Sequence, residues 1–352
     1  MKNGRYWVGL DIGDYRTSVC ILGAEDSPVL ELVVDTTGAC IEEALSAIQT
    51  SDIEAVAVES GAVSGILQQL RQLPFPLVVL DAGKVSRFLA IRPNKTDCND
   101  ARGLAEIARL GKFAHLRVHL RGADCQLLRD QLVIRQQLVR QRTAVRNALR
   151  AMLRSNGSSL RQVQIGAAYR ENMEAELTAL TAAGAGAAAD QIRPLVDICE
   201  ALTSYIIQSD KRIRQQAEEH PIAKRFLAIP GVGPVCALSF YSAIEDPMRF
   251  PRAADVGAYL GMVPRTKQSG LIVQRSRITR AGNSMTRGHL VLSAGVMLSR
   301  AAKDTEIGDW GKKLVSRIGY PKARMAVARK MAIAMLSIWK SDADFVPYPT
   351  RS

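Results

Sequence analysis

The alternation of strand-like and helix-like runs over the first hundred residues constrains this chain most. YWVGLDIG and TSVCIL are apolar, strand-forming stretches joined by a short turn at Gly13-Asp14. EAVAVES reads as a buried strand, GILQQLRQL as a helix and PLVVLDA as a further strand. Strands interleaved with helices predict an α/β sheet. A helix is expected to follow, from about Asp97 or Asp100 to Leu110.

The character changes after Asp124. In CQLLRDQLVIRQQLVRQRTAVRNALRAMLRSNG, an apolar seam of Ile134, Leu138, Val145, Ala148 and Met152 predicts a long helix of coiled-coil type, with Gln141 its polar break. It should end at Asn156-Gly157. A second helix is expected over Glu171 to Ala182, interrupted by AAGAGAAA, and a third from Asp190 to about Glu219. Helix, break and helix suit an antiparallel arm serving dimerisation or reach. The remainder, from about residue 220, should be helical and loop-rich.

With 352 residues the chain has room for two or three domains, and 47% hydrophobic residues exclude a disordered protein. The start, MKNGRYWVGLDIGDYR, lacks the pattern of a signal peptide, and no long uncharged apolar run predicts a membrane span. Six cysteines (Cys20, Cys40, Cys98, Cys125, Cys199, Cys236) stand singly, without a C-x-x-C pair. That pattern suits reduced thiols, and the chain is expected in the cytoplasm. A net charge of +13 points to a polyanionic partner, most commonly nucleic acid, unless the chain is merely a basic enzyme.

Four acids stand out. Asp11 lies near the end of the first strand and Glu59 ends AVAVES, while Asp97 and Asp100 open the helix in NKTDCNDARGLAEIAR. Carboxyl ends of strands are where α/β sheets place ligands, and residues three apart share a helix face. Four converging carboxylates call for divalent cations, and an oxygen-only set suits Mg²⁺ or Mn²⁺. Two such ions can clamp the attacking and leaving oxygens of a phosphodiester. Singly, each acid has a plainer reading: Asp97 as a helix N-cap, Glu59 as a strand end, Asp11 as a turn residue. Their order along an α/β fold favours the metal reading. Asp14 and Asp81 are weaker candidates and are set aside.

In the last third, LAIPGVGPVCALSFYSAI places Gly231 and Gly233 between two helical stretches. This is either a helix-hairpin-helix turn whose glycines let the backbone approach a phosphate, or a simple tight turn. From Val256 through Lys303 there is no Asp or Glu, yet Arg265, Lys267, Arg275, Arg277, Arg280, Arg287, Arg300 and Lys303 fall within that run. Charge of one sign over such a length suggests a facing anion. Phosphate contacts there should make binding steeply salt-dependent. Ser269, before Gly270, sits in a polar loop between Lys267 and Arg275. Those cations could favour its alkoxide, but by residues alone it is one hydroxyl among Ser276, Thr279, Ser284 and Thr286, and a turn serine is the plainer reading. Trp310, in DWGKKLVSRIGYPKARMAVARKMAIAMLSIWK, is expected as a core anchor rather than a stacking platform.

GLDIG, AVAVES and NKTDCNDARGLAEIAR together resemble the DEDD motif of the IS-one-ten family of insertion-sequence transposases, also called bridge-RNA-guided DNA recombinases. LGMVPR, Ser-Gly, RITRAGNSMTR and the final helices resemble that family's transposase domain. The resemblance is weak across the Ala-rich middle. It implies an RNase H-like, RuvC-like domain at 1–155, a helical coiled-coil arm at 156–219, and a mainly α-helical transposase domain with helix-hairpin-helix at 220–352. It also implies Mg²⁺ on Asp11, Glu59, Asp97 and Asp100, and Ser269 as the nucleophile that becomes joined to a DNA phosphate.

Implied partners are target and donor DNA, a structured non-coding guide (bridge) RNA, and further copies of the chain. In such dimers, pairing into a tetramer, the RuvC-like domain of one protomer meets the transposase domain of another. Arg135, Arg142, Arg146 and Arg150 lie along one predicted helix face and either hold RNA phosphates or form a solvated face. Two rival readings stay open. One is a junction-resolving nuclease that needs metal but no serine; the other is a nucleic-acid-binding protein without catalysis.

Overall fold

A computed structural model describes residues 5–25, 27–61, 64–90, 94, 96–111, 115–269, 272–299 and 304–348, apart from the side chains of 64, 267–269 and 272–276. The chain divides into two compact units, Met1–Ala123 and Asp124–Ser352.

The first unit is built on a five-stranded mixed sheet. Its elements are β1 (Tyr6–Ile12), β2 (Arg16–Leu22), β3 (Pro28–Asp35), α1 (Gly38–Leu45), β4 (Ile53–Glu59), α2 (Ser64–Gln72), β5 (Leu77–Leu80), α3 (Ala82–Leu89) and α4 (Asp97–Leu110). Strand order is β3-β2-β1-β4-β5. The β1–β2 and β2–β3 pairs are antiparallel, while β4 runs parallel to β1 and β5 parallel to β4. Period-two alternation assigns the faces. Val8 and Leu10 of β1 and Val56 and Val58 of β4 pack with Ile41, Leu45, Ile66 and Leu70 of α1 and α2. On the opposite face, Ala55 and Ala57 pack with Val85 of α3 and Leu104 and Ile107 of α4. Ala101 and Ala105 of α4 close over Cys20 and Leu22.

Beneath α4 that second face carries small residues on the central strands, Gly9 on β1 with Ala55 and Ala57 on β4, and Gly9 shows why. A Cβ on Gly9 would lie 1.9 Å from the Ala101 carbonyl oxygen and 2.4 Å from the Ala105 amide nitrogen. Helix α4 therefore rests directly on the β1 backbone, a contact that admits no side chain. We expect Gly9→Ala to displace α4 and destabilise the unit by about 3 kcal/mol or more, as severe overpacking does; denaturant unfolding of the variant would measure it.

The second unit begins with α5 (Ala123–Ser155), followed by α6 (Tyr169–Ala182) and α7 (Gly186–Glu219). The expected coiled-coil seam holds only in part: Val145 packs against the α6–α7 core, but the ends of the seam do not. Ile134 and Met152 are 60% and 44% exposed, whereas Leu132, Leu149 and Leu153 are buried. Leu149 and Leu153 pack with Met173, Leu177, Ile192 and Val196 of α6 and α7, and Leu132 packs instead with Phe226 and Phe240. One helix thus serves two cores in succession, so no single heptad seam runs its length. Arg170 ties the α6–α7 pair through ion pairs to Asp197 and Glu200.

The remaining elements are α8 (Pro221–Leu227), α9 (Pro234–Ile244), α10 (Val256–Tyr259), β6 (Pro264–Ser269), β7 (Ile272–Ile278), α11 (Ser284–Met297), α12 (Glu306–Ile318) and α13 (Tyr320–Ser341). Buried Val327, Met331, Met335 and Leu336 of α13 share one core with Phe226, Phe240 and Leu290. The antiparallel β6–β7 hairpin stands where a loop was expected. IVQRSRI sets four polar residues between its apolar ends, without the apolar–polar alternation by which a half-buried strand is recognised. No described helix is long and apolar enough to cross a membrane.

Candidate active site

Strand pairing brings the acids together. Asp11 follows Gly9 by two residues, and Glu59 follows Ala57 by two, so both side chains leave the sheet on the face that α4 covers. The parallel register sets Leu10 opposite Val58, so Asp11 and Glu59 are neighbours one residue further on. Ala101 sits over Gly9, and Asp97 is one helical turn earlier than Ala101. The start of α4 consequently faces the carboxyl ends of β1 and β4. A cleft of about 550 Å³ results, lined by Asp11, Glu59, Asp97 and Asp100 together with Gly13, Ser86, Leu89 and Ala90.

The question of Asp97 as a helix cap is answered by Thr96. Its Oγ1 accepts a hydrogen bond from the Asn99 amide at 3.2 Å, which makes Thr96 the N-cap and Asp97 the first helical residue. Asp97 and Asp100 lie in the first turn, where the helix dipole favours negative charge. Asp97 is exposed, and Asp11, Glu59 and Asp100 are half-buried. Removing the cap should loosen this turn: Thr96→Ala is expected to cost about 1 kcal/mol, read as a lower thermal midpoint. Asp81, set aside above, caps α3 by accepting the Lys84 amide hydrogen.

The donor set is chemically coherent. Its four potential ligands are carboxylates, no cation is among its described lining residues, and hard divalent ions prefer oxygen. Among the described residues, no three His, Cys, Asp or Glu side chains converge tightly enough to form a ready-made metal centre. The acids line a shared cleft rather than one point within it. Ser86, Leu89 and Ala90 were missed as lining residues because α3 was not anticipated; its signal was the Asp-x-x-Lys cap.

The basic half is more mixed than the charge run suggests. Ser269 ends β6 opposite Ile272, placing it in a strand rather than a polar loop. Its side chain lies outside the described residues, as do those of Lys267 and Arg275 and the whole of Arg300 and Lys303. Arg265 and Arg277 are exposed on the hairpin, and Arg265 donates to the Thr279 carbonyl at 3.1 Å. Arg280 is exposed and has φ +56°. Arg287 donates to the Leu260 and Ala281 carbonyls, binding two loops together. Burial, with the Arg280 charge nearby, holds its guanidinium pKa below the usual range.

The glycines also divide. Gly231 has φ +88°, and a Cβ there would lie 2.5 Å from the Ser293 carbonyl oxygen, so this glycine serves the packing of α11 rather than approach to a phosphate. Gly233, at the start of α9, faces open space. On α5, Arg135 is committed to Asp210 by an ion pair, Arg142 and Arg146 are half-buried, and Arg150 is exposed. Trp310 is not a core anchor: it is 37% exposed, with the Lys330 ammonium 4.8 Å from its ring centre.

An acid-lined cleft on a mixed sheet, followed by a basic helical unit, is compatible with a DEDD transposase, and comparison with known proteins shows that class. The transposase model for DEDD proteins of IS110 type matches residues 8–156, which include all four acids, and suggests an RNase H-like fold and divalent-metal dependence for the first unit. A second model, "Transposase IS116/IS110/IS902 family", matches residues 223–307. The chain belongs to this IS110 family of transposases.

The "Transposase for insertion sequence element IS1111A" of Coxiella burnetii is 30% identical over 250 residues, 69% of this chain and 66% of that protein. The "Probable family 20 transposase" of Pseudomonas aeruginosa is 25% identical over 301 residues, 79% of this chain and 88% of that protein. The "Transposase for insertion sequence element IS1328" of Yersinia enterocolitica is 25% identical over 132 residues, 37% and 40% of the two chains. The match therefore spans about two thirds of the Coxiella relative's length.

Proposed function

We propose that this protein is an RNA-guided DNA recombinase of an insertion sequence, cutting and rejoining DNA strands through a covalent Ser269–DNA intermediate. The observation that supports it best is the cleft that gathers Asp11, Glu59, Asp97 and Asp100, within a region matched by the DEDD transposase model. These four residues would hold Mg²⁺ or Mn²⁺, which when bound supplies charge neutralisation at a phosphodiester and acidifies an oxygen it touches.

Ser269 does the covalent chemistry. Its Oγ attacks phosphorus, the Oγ–P bond forms, the bond from phosphorus to the leaving sugar oxygen breaks, and the serine proton ends on that oxygen. The energy of the phosphodiester is retained in the serine ester, and a hydroxyl from another strand reverses the step to reseal the DNA. The exposed Arg277 and Arg280 stand on the same hairpin and its exit, suited to holding the flanking phosphates. Arg142 and Arg146 of α5 are the candidates for guide-RNA phosphates. The chain acts as dimers pairing into a tetramer, with the carboxylates of one protomer serving Ser269 of another.

The test is covalent trapping. Purified protein, RNA transcribed from the sequence flanking its gene, labelled DNA and Mg²⁺ are mixed, denatured and separated on a gel. A protein–DNA adduct dependent on RNA supports the reading. Cleaved DNA without an adduct identifies a metal-dependent nuclease instead, and binding without cleavage identifies a non-catalytic nucleic-acid-binding protein.

A further inference from the structure

A second cavity lies in the other unit, at the root of the β6–β7 hairpin. Its volume is about 850 Å³, within the roughly 300–1,000 Å³ usual for small-ligand sites. The floor is apolar, with Met262, Ile278, Met325 and Ile333 among its lining. Arg277, Arg280, Lys322, Arg329 and Lys330 also line it, and no acid is among its described lining residues. Trp310 supplies an aromatic wall on which Lys330 rests. The Arg329 Nε is buried and has no hydrogen-bond partner among the described residues.

We propose that this cavity receives an unstacked nucleotide of a single strand, its base taking the place of the Lys330 ammonium on the Trp310 indole and its phosphates on the surrounding cations, Lys330 among them. The inference rests on the recombinase reading, which makes nucleic acid the partner. Each feature selects for that ligand. An indole in an apolar recess offers a stacking surface that any base can use, and five cations match the backbone rather than a neutral small molecule. A paired base in a duplex presents only its edge in a groove and cannot lay its face on an indole, so the occupant is unpaired. Placement agrees: Pro264 lines the cavity and Ser269 ends the same strand, about 17 Å away at ~3.3 Å per residue. A strand opened beside the nucleophile would pass within reach. The sources with this chemistry are the melted DNA strand and an unpaired stretch of guide RNA.

The experiment uses the full chain with fluorescein-labelled dT12, U12 and a DNA duplex, read by anisotropy at fixed salt. Trp310→Ala is expected to weaken single-strand binding by about 5- to 150-fold, the range for loss of one stacked base, with duplex binding changed less than about twofold. Trp310→Phe should restore most of the affinity, because it returns an aromatic face. Addition of dT12 or U12 should quench the tryptophan emission of the native protein, and the quench should vanish in Trp310→Phe. A larger effect on dT12 identifies the DNA strand as the occupant, and a larger effect on U12 identifies the RNA. Unchanged single-strand affinity, an equal loss for duplex, or quenching that persists in Trp310→Phe would overturn the proposal. None of these readouts requires cleavage, so they are independent of whether the serine adduct forms.

Discussion

Ser269→Ala is expected to remove the protein–DNA adduct entirely and to lower strand exchange by at least about 10³-fold, because it removes the hydroxyl that forms the covalent bond. The carboxylate cleft belongs to the other compact unit, so the variant should bind divalent metal as the native protein does. Binding of DNA should also survive, since neutralisation of phosphates rests on the cations and not on a hydroxyl. This combination separates the serine mechanism from its main rival. A nuclease that uses metal and water alone would cleave equally well without Ser269. If the variant still yields a covalent adduct, one of the other hydroxyls of the basic segment, Ser276 or Thr279, is the nucleophile, and Ser269 reverts to a residue of the hairpin.

The sequence made the carboxylate cleft legible because its order is written locally. Strands with apolar runs can be recognised from composition, and each places its acid at its own end, so Asp11 and Glu59 could be located without tertiary knowledge. Gly9 was not legible. Nothing in GLDIG says whether that glycine serves a turn or the descent of a helix onto the strand, and only the approach of Ala101 decides. The α5 seam failed in part for a related reason. Its apolar residues are numerous enough to support more than one face, and the choice falls to the partners, two different cores along one helix. Trp310 failed because an indole is equally at home in a core and in a half-open cavity, and its sequence neighbours do not distinguish the two. Arg287 looked like its exposed neighbours in a one-sign run, yet its Nη1 is held by the Leu260 and Ala281 carbonyls. Charge runs report net sign, and they are silent on which side chains already have partners.

Asp97→Asn provides the other large effect, and it discriminates between the two roles that this residue could have. Asparagine keeps the shape and removes the charge and the strongest metal-ligating oxygen. If Asp97 served only the helix dipole, the substitution would cost about 0.5 kcal/mol of stability and leave chemistry intact, and Thr96 would still cap the helix. As a ligand in the cleft, it should instead cost about 10³-fold in adduct formation while stability in metal-free buffer stays within that small margin. Relief of repulsion from Asp100, Asp11 and Glu59 offsets part of the lost dipole term. Metal dependence supplies a second, activity-free readout. Saturating Mn²⁺ at about 100 times its Kd would stabilise the native first unit by about 2.7 kcal/mol, a rise of about 10 °C in its thermal midpoint. EDTA should reverse that rise, and Asp97→Asn should show little of it. A full Mn²⁺-dependent rise in the variant, with adduct formation unimpaired, would remove Asp97 from the ligand set and leave the cleft to the three remaining acids.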